Sequence, residues 1–153
     1  MLLPKTIVRQ LNTALRRAGT REMGGILMGE HVDEGVFRVR AITVQSSGGT
    51  NFSFRRLFQA VLAPLQRFYH QTHYDYARFN YLGEWHSHPS FSLEPSRTDA
   101  KTMWELVHDP QVGANFAVLL IVHLTAANIM DGAATIFLPE YRSFRADLIQ
   151  EID

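Results

Sequence analysis

The chain has 153 residues, 46% hydrophobic and 20% charged, the proportions of an ordinary globule with one sizeable core, so one domain spanning residues 1–153 is expected. Lys plus Arg equals Asp plus Glu at 15 each, so no global basic field points to nucleic acid, although Arg16-Arg17 and Arg55-Arg56 are local basic pairs. Cysteine is absent, which excludes disulfides, thiol nucleophiles and the Cys-x-x-Cys half of a zinc deaminase signature.

Met1-Leu2-Leu3 is too short for a signal sequence and the apolar run near Phe116 too short to span a bilayer, so a cytoplasmic protein without membrane partners is expected. Ile7, Leu11, Ala14, Leu15 and Ala18 recur at helical spacing, and Gly19 follows as a C-terminal cap. Gly24 to Gly29 and Val36 to Val44 read as two strands joined by a turn at Asp33-Glu34-Gly35. Ser46-Ser47-Gly48-Gly49 reads as a loop, and Phe54 to Thr72 as a second helix, broken or kinked near Pro64. Tyr81 to His88 is a strand and Thr98 to His108 a third helix, stopped by Asp109-Pro110. The run at Phe116 is a buried strand, and Thr135 to Leu138 forms another. No repeat, low-complexity tract or linker interrupts this order, which is that of an α/β domain with a mixed sheet flanked by helices.

The chemistry concentrates in Gly83-Glu84-Trp85-His86-Ser87-His88-Pro89 and Ser96-Arg97-Thr98-Asp99. Strand alternation turns His86 and His88 to one side, Pro89 ends the strand, and Asp99 returns from the start of the next helix. Two imidazoles and one carboxylate leave the fourth position of a tetrahedral zinc ion open for water, whereas a structural zinc takes four protein ligands. His-x-His alone occurs by chance, and Ser96-x-x-Asp99 alone is a helix capping box. Joined by Pro89 and the loop from Ser90 to Pro95, the two fragments form an arrangement that points to a metal.

With Glu22 upstream, at the head of Glu22-Met23-Gly24-Gly25-Ile26-Leu27-Met28-Gly29, this pattern resembles the JAMM, or MPN-domain, metalloproteases. Tyr81-Leu82-Gly83-Glu84-Trp85-His86 and Phe54-Arg55 resemble the bacterial branch, encoded beside relatives of ubiquitin-activating and ubiquitin-conjugating enzymes. The resemblance runs from Glu22 to Asp99 and implies the MPN fold, related to the cytidine-deaminase-like sandwich. It further implies one Zn²⁺ per chain on His86, His88 and Asp99, Glu22 as general base toward the water, and Ser96 as donor to the oxyanion. The activity implied is hydrolysis of an isopeptide or peptide bond at the C-terminus of a ubiquitin-like protein. A processing peptidase for sulfur-carrier proteins, a noncatalytic binding module and a nucleic-acid-associated relative of the RadC type are the alternatives, the last disfavoured by the neutral charge balance. The stretches before Tyr81 and after Asp99 look compact, so a modifier would need a grip other than the insertions of eukaryotic relatives.

Glu84 shares the strand face of the two histidines and reads equally as an acceptor orienting a ligand imidazole or as a solvated rim carboxylate. Trp85 points the other way, into the core. His70 and His73 read as partly exposed helix residues, His31 and His108 as surface residues, and His123 as a hydrogen-bonded interior histidine.

Overall fold

The computed structural model describes residues 1–46, 54–90 and 92–152. Its elements run β1 (Leu2–Leu3), α1 (Lys5–Ala18), β2 (Met23–Asp33), β3 (Val36–Ile42), β4 (Gln45–Ser46), α2 (Phe54–Gln71) and β5 (Phe79–Ser87). They continue with α3 (Arg97–His108), β6 (Ala117–Leu124), β7 (Met130–Leu138), β8 (Arg142–Ala146) and β9 (Ile149–Gln150). The apolar stripe foreseen for α1 is its buried face, with Ile7, Leu11, Ala14 and Leu15 all covered. Each of the three larger side chains contributes about 1.5–3 kcal/mol by leaving water. Gly19 closes the helix at φ 62°, its N–H donating to the Leu15 carbonyl at 3.1 Å.

The strands form one mixed sheet in the order β8-β7-β6-β5-β2-β3-β1-β9, with β4 paired to β2. Sequence neighbours pair antiparallel where a tight turn joins them, as in the β2–β3 hairpin with Gly35 at φ 67°. β5 and β6 instead run parallel, because α3 carries the chain back between them.

Strand alternation sorts the core into two layers. Leu27, Trp85, Val118, Leu120 and Val122 meet α1 on one face. On the opposite face α2 sets Val61 and Phe68 against Ile26 and Met28, while α3 sets Met103, Leu106 and Val107 against Leu119, Ile121 and Phe137. This is the predicted mixed sheet flanked by helices.

Several local expectations need revision. Of the break or kink expected near Pro64, the break is not found: α2 runs as one helix through it. Pro64 removes a backbone donor, but Val61 and Phe68 on either side of it pack in one cluster against β2, which keeps both halves on the sheet. His73 lies beyond the end of α2, at φ 53°. The strand foreseen at Thr135 begins earlier, at Met130, and the short strands β1, β4, β8 and β9 lacked the alternating apolar pattern that would have announced them. From residue 47 the predicted Ser46–Gly49 loop lies outside the described residues, as do Phe91 and the side chains of Phe54, Arg55 and Arg56.

One glycine fixes the position of β5. Gly83 has φ 146°, and a Cβ there would overlap the carbonyl oxygen of Val118, its partner on β6. Gly83→Ala is therefore expected to lose about 3 kcal/mol or more in urea unfolding, from backbone strain plus overpacking. Gly35→Ala, whose Cβ would meet nothing within 4 Å, should lose only the left-handed cost of about 1–2 kcal/mol. Equal losses at the two positions would show that the close approach of β5 and β6 does not constrain Gly83.

Candidate metal centre

The centre lies at the C-terminal end of β5, where the chain leaves the sheet for α3, the end at which open α/β sheets collect ligands. His86 is paired across the sheet with Gly24 on β2 and Ile121 on β6. A Cβ at Gly24 would overlap the Trp85 carbonyl oxygen and crowd the His86 Cβ at 3.0 Å, so the glycine permits the close approach of β2 and β5 beside His86. Ser87, buried at 1% exposure, closes the strand end by accepting the Met23 N–H on its Oγ at 3.0 Å. His88 lies one residue beyond β5 but still donates its backbone N–H to the Val122 carbonyl at 3.0 Å. That bond continues the strand geometry and holds its ring beside that of His86, with centroids 4.7 Å apart.

The protonation of the pair follows from its neighbours. His88 Nδ1 is 2.7 Å from the Ser92 carbonyl, an acceptor with no proton to give, so Nδ1 carries a hydrogen and, in the neutral ring, Nε2 is the nitrogen with the lone pair. His86 is neutral because burial lowers its pKa to about 4, a shift increased by His88 and opposed by Asp99. The two Nε2 atoms are 2.9 Å apart, and Asp99 offers Oδ1 to His86 at 3.6 Å and Oδ2 to His88 at 3.7 Å. All three donor atoms lie within 4.8 Å of one another. Donors about 2.0–2.1 Å from a tetrahedral ion stand about 3.3 Å apart, so these separations bracket those of a filled site. The His86-His88-Asp99 group could hold a metal ion.

Asp99 is aimed by the helix it begins. It occupies the third position of α3 in a reciprocal capping box, its Oδ2 accepting the Ser96 N–H at 2.7 Å and its N–H donating to Ser96 Oγ at 3.1 Å. The capping reading of the Ser-x-x-Asp motif holds, and the same Asp99 carboxylate faces the two histidines. Because Ser96 Oγ acts in the cap as an acceptor, the cap does not use its hydroxyl proton. Glu22 is exposed and immediately precedes β2. The register that pairs Gly24 with His86, extended by two residues, sets Glu22 opposite His88.

Glu84 is not a rim carboxylate. It is 5% exposed on the face that carries His86, between Ile26 and Leu119, and burial raises its pKa to about 7. Trp85 packs in the α1 layer as read, its Nε1 donating to the Thr43 carbonyl at 2.8 Å. His31, His70, His73 and His108 are exposed. His123 is half-buried at the end of β6, 3.9 Å from Asp131, rather than interior. Sequence reasoning missed Gly24, Ser87 and the Ser92 carbonyl. The first two sit within the glutamate-headed and His-x-His segments, but a backbone carbonyl in a loop leaves no residue-type signal.

Among the described residues no helix is long and apolar enough to cross a membrane. Residues 4–136 match the family described as prokaryotic homologs of the JAB domain. The chain is 25% identical over 126 residues to the CD-NTase/cGAS isopeptidase of Enterobacter hormaechei, a match covering 80% of this chain and 66% of that protein's length. Solved structures of similar fold include a Desulfitobacterium hafniense protein (TM-score 0.70, 16% identity, 100% of this chain and 94% of that one). Others are a Salinibacter ruber protein (0.62, 21%, 99% and 92%) and a JAB1/MPN domain protein from Archaeoglobus fulgidus (0.52, 13%, 97% and 99%). With its histidine pair and aspartate gathered at the end of β5 and its sheet matching a JAB1/MPN structure, the chain belongs to the prokaryotic JAB domain family.

Proposed function

We propose that the protein is a zinc-dependent hydrolase that cleaves an isopeptide or peptide bond at the C-terminus of a ubiquitin-like protein. The observation that carries this reading is the convergence of His86, His88 and Asp99 beside the Ser96 hydroxyl. The isopeptidase relative and the JAB family support the reaction class.

His86, His88 and Asp99 would hold the zinc, which when bound acidifies a water and polarises the carbonyl under attack. Every other task falls to this chain. His88 is held in the ligating tautomer by Ser92, and burial keeps His86 neutral. Glu22 takes the proton of the attacking water and passes it to the departing amine. The Ser96 hydroxyl, whose proton the cap leaves available, donates to the carbonyl oxygen as negative charge grows on it, a contribution of about 3–4 kcal/mol in comparable hydrolases.

Metal-free protein titrated with zinc should take up one ion per chain by elemental analysis, and His86→Ala, His88→Ala or Asp99→Ala should each abolish uptake. Full occupancy in the double variant at His86 and His88 would move the site elsewhere.

Glu22→Gln should keep fold and zinc while hydrolysis of a ubiquitin-like domain fused through its C-terminal glycine to a reporter falls at least about 10²-fold. Unchanged turnover would remove Glu22 from the reaction, and loss of zinc would make it a ligand or a support.

Ser96→Ala should lose about 1 kcal/mol of stability with the cap, which Ser96→Asn should largely restore. Thermal unfolding and turnover read together separate the roles: the asparagine variant is expected to be stable, zinc-loaded and still strongly impaired. Recovery of turnover along with stability would leave Ser96 as a cap alone.

A further inference from the structure

The chain is neutral overall, but its charge is segregated. Residues 1–21 hold five of the 15 Lys and Arg (Lys5, Arg9, Arg16, Arg17, Arg21) and none of the 15 Asp and Glu, leaving ten basic against 15 acidic residues in the rest. Helix α1 buries its apolar stripe and turns Arg9, Thr13 and Arg17, spaced four apart, along one exposed line. Among the described residues Arg9, Arg16, Arg17 and Arg21 enter no ion pair; Arg16 and Arg21 reach only the backbone carbonyls of Asn128, Ala18 and Arg17.

Beside this line runs a groove of about 370 Å³ with Ala14, Met23 and Val44 in its lining and Arg9 and Arg17 at its rim. Val44 is 48% exposed there. Eight helical residues put Arg9 and Arg17 about 12 Å apart, the span of three to four residues of extended chain. Met23 adjoins Gly24, the residue paired with His86, so the groove ends at the same end of β2 as the metal centre, on the other face of the sheet.

We infer that this groove binds an extended acidic segment of the protein substrate, an apolar side chain entering between Arg9 and Arg17 and carboxylates pairing with the two guanidinium groups. That the occupant is the substrate rests on the hydrolase reading above. Arginine forks match carboxylates in paired hydrogen bonds, and an apolar floor needs an apolar partner. Among the described residues no aromatic ring lines the groove on which a base could stack, which favours a peptide over single-stranded nucleic acid.

The test is fluorescence anisotropy of the zinc-loaded protein with a fluorescein-labelled peptide, Gly-Glu-Asp-Leu-Asp-Glu-Gly, its all-lysine counterpart, and a random 20-base-pair DNA duplex. The acidic peptide is expected to bind, to weaken with added salt, and to lose at least tenfold in affinity in Arg9→Glu/Arg17→Glu. The lysine peptide should not bind, and Arg97→Glu/Lys101→Glu on α3 should leave affinity unchanged. Both variants alter exposed residues, and Arg9→Gln/Arg17→Gln, with no new charge to perturb the helix, should show the same loss in smaller degree. Absence of binding, an equal loss in the α3 variant, or tighter binding of DNA than of acidic peptide would overturn the inference. His88→Ala separates it from the hydrolase reading: peptide affinity should persist while reporter cleavage disappears. Binding without any cleavage by the unmodified protein would refute the hydrolase reading and leave the groove a site for acidic peptides.

Discussion

The hydrogen bond between His88 Nδ1 and the Ser92 carbonyl, 2.7 Å long, decides what the centre can be. It fixes which nitrogen bears the proton, and therefore which one presents a lone pair toward His86 and Asp99. The two Nε2 atoms are within hydrogen-bond distance at 2.9 Å, and the Asp99 carboxylate faces both, so the three donor atoms lie within 4.8 Å of one another. The fold spends backbone bonds on holding them there: His88 N–H to Val122, Ser96 N–H to Asp99, Met23 N–H to Ser87. All three bonds are made by the chain's own groups, which hold the candidate donors toward one another.

The strand beneath them is equally constrained. Trp85 is pinned to Thr43 on the α1 side, Gly83 lets β6 approach closely, and Gly24 lets β2 approach the backbone at Trp85 and His86. Glu84 lies two residues from His86, between Ile26 and Leu119, and among the described residues no hydrogen bond reaches its buried Oε1. A buried polar atom left in this way costs about 1–3 kcal/mol.

The candidate donors were legible in the sequence because few residue types can ligate a metal ion. Only a few side chains can hold zinc, and strand alternation plus a helix start give them a spacing that can be recognised from His86, His88 and Asp99 alone. The long periodic elements, α1 and the β2–β3 hairpin, were equally readable. What escaped was decided by tertiary packing. α2 passes through Pro64 because β2 supports both halves, and β8 and β9 are short edge strands with exposed side chains whose identity comes from the neighbours they pair with. Glu84 resisted for the same reason, since alternation gave its face but not the helices that cover it. The environment of His88 also lay beyond reach, because Ser92 contributes a carbonyl that every residue possesses.

The double duty of Asp99 has a thermodynamic consequence. The carboxylate that faces the histidines is also the third residue of α3 and half of its cap, so the first turn of the helix and the donor set form one cooperative unit. A cation that binds only the folded arrangement shifts that unit by mass action and lowers the local opening of the helix start. The amide protons of Ser96 and Asp99, the two that the capping box holds, would then exchange more slowly with a cation bound than without one.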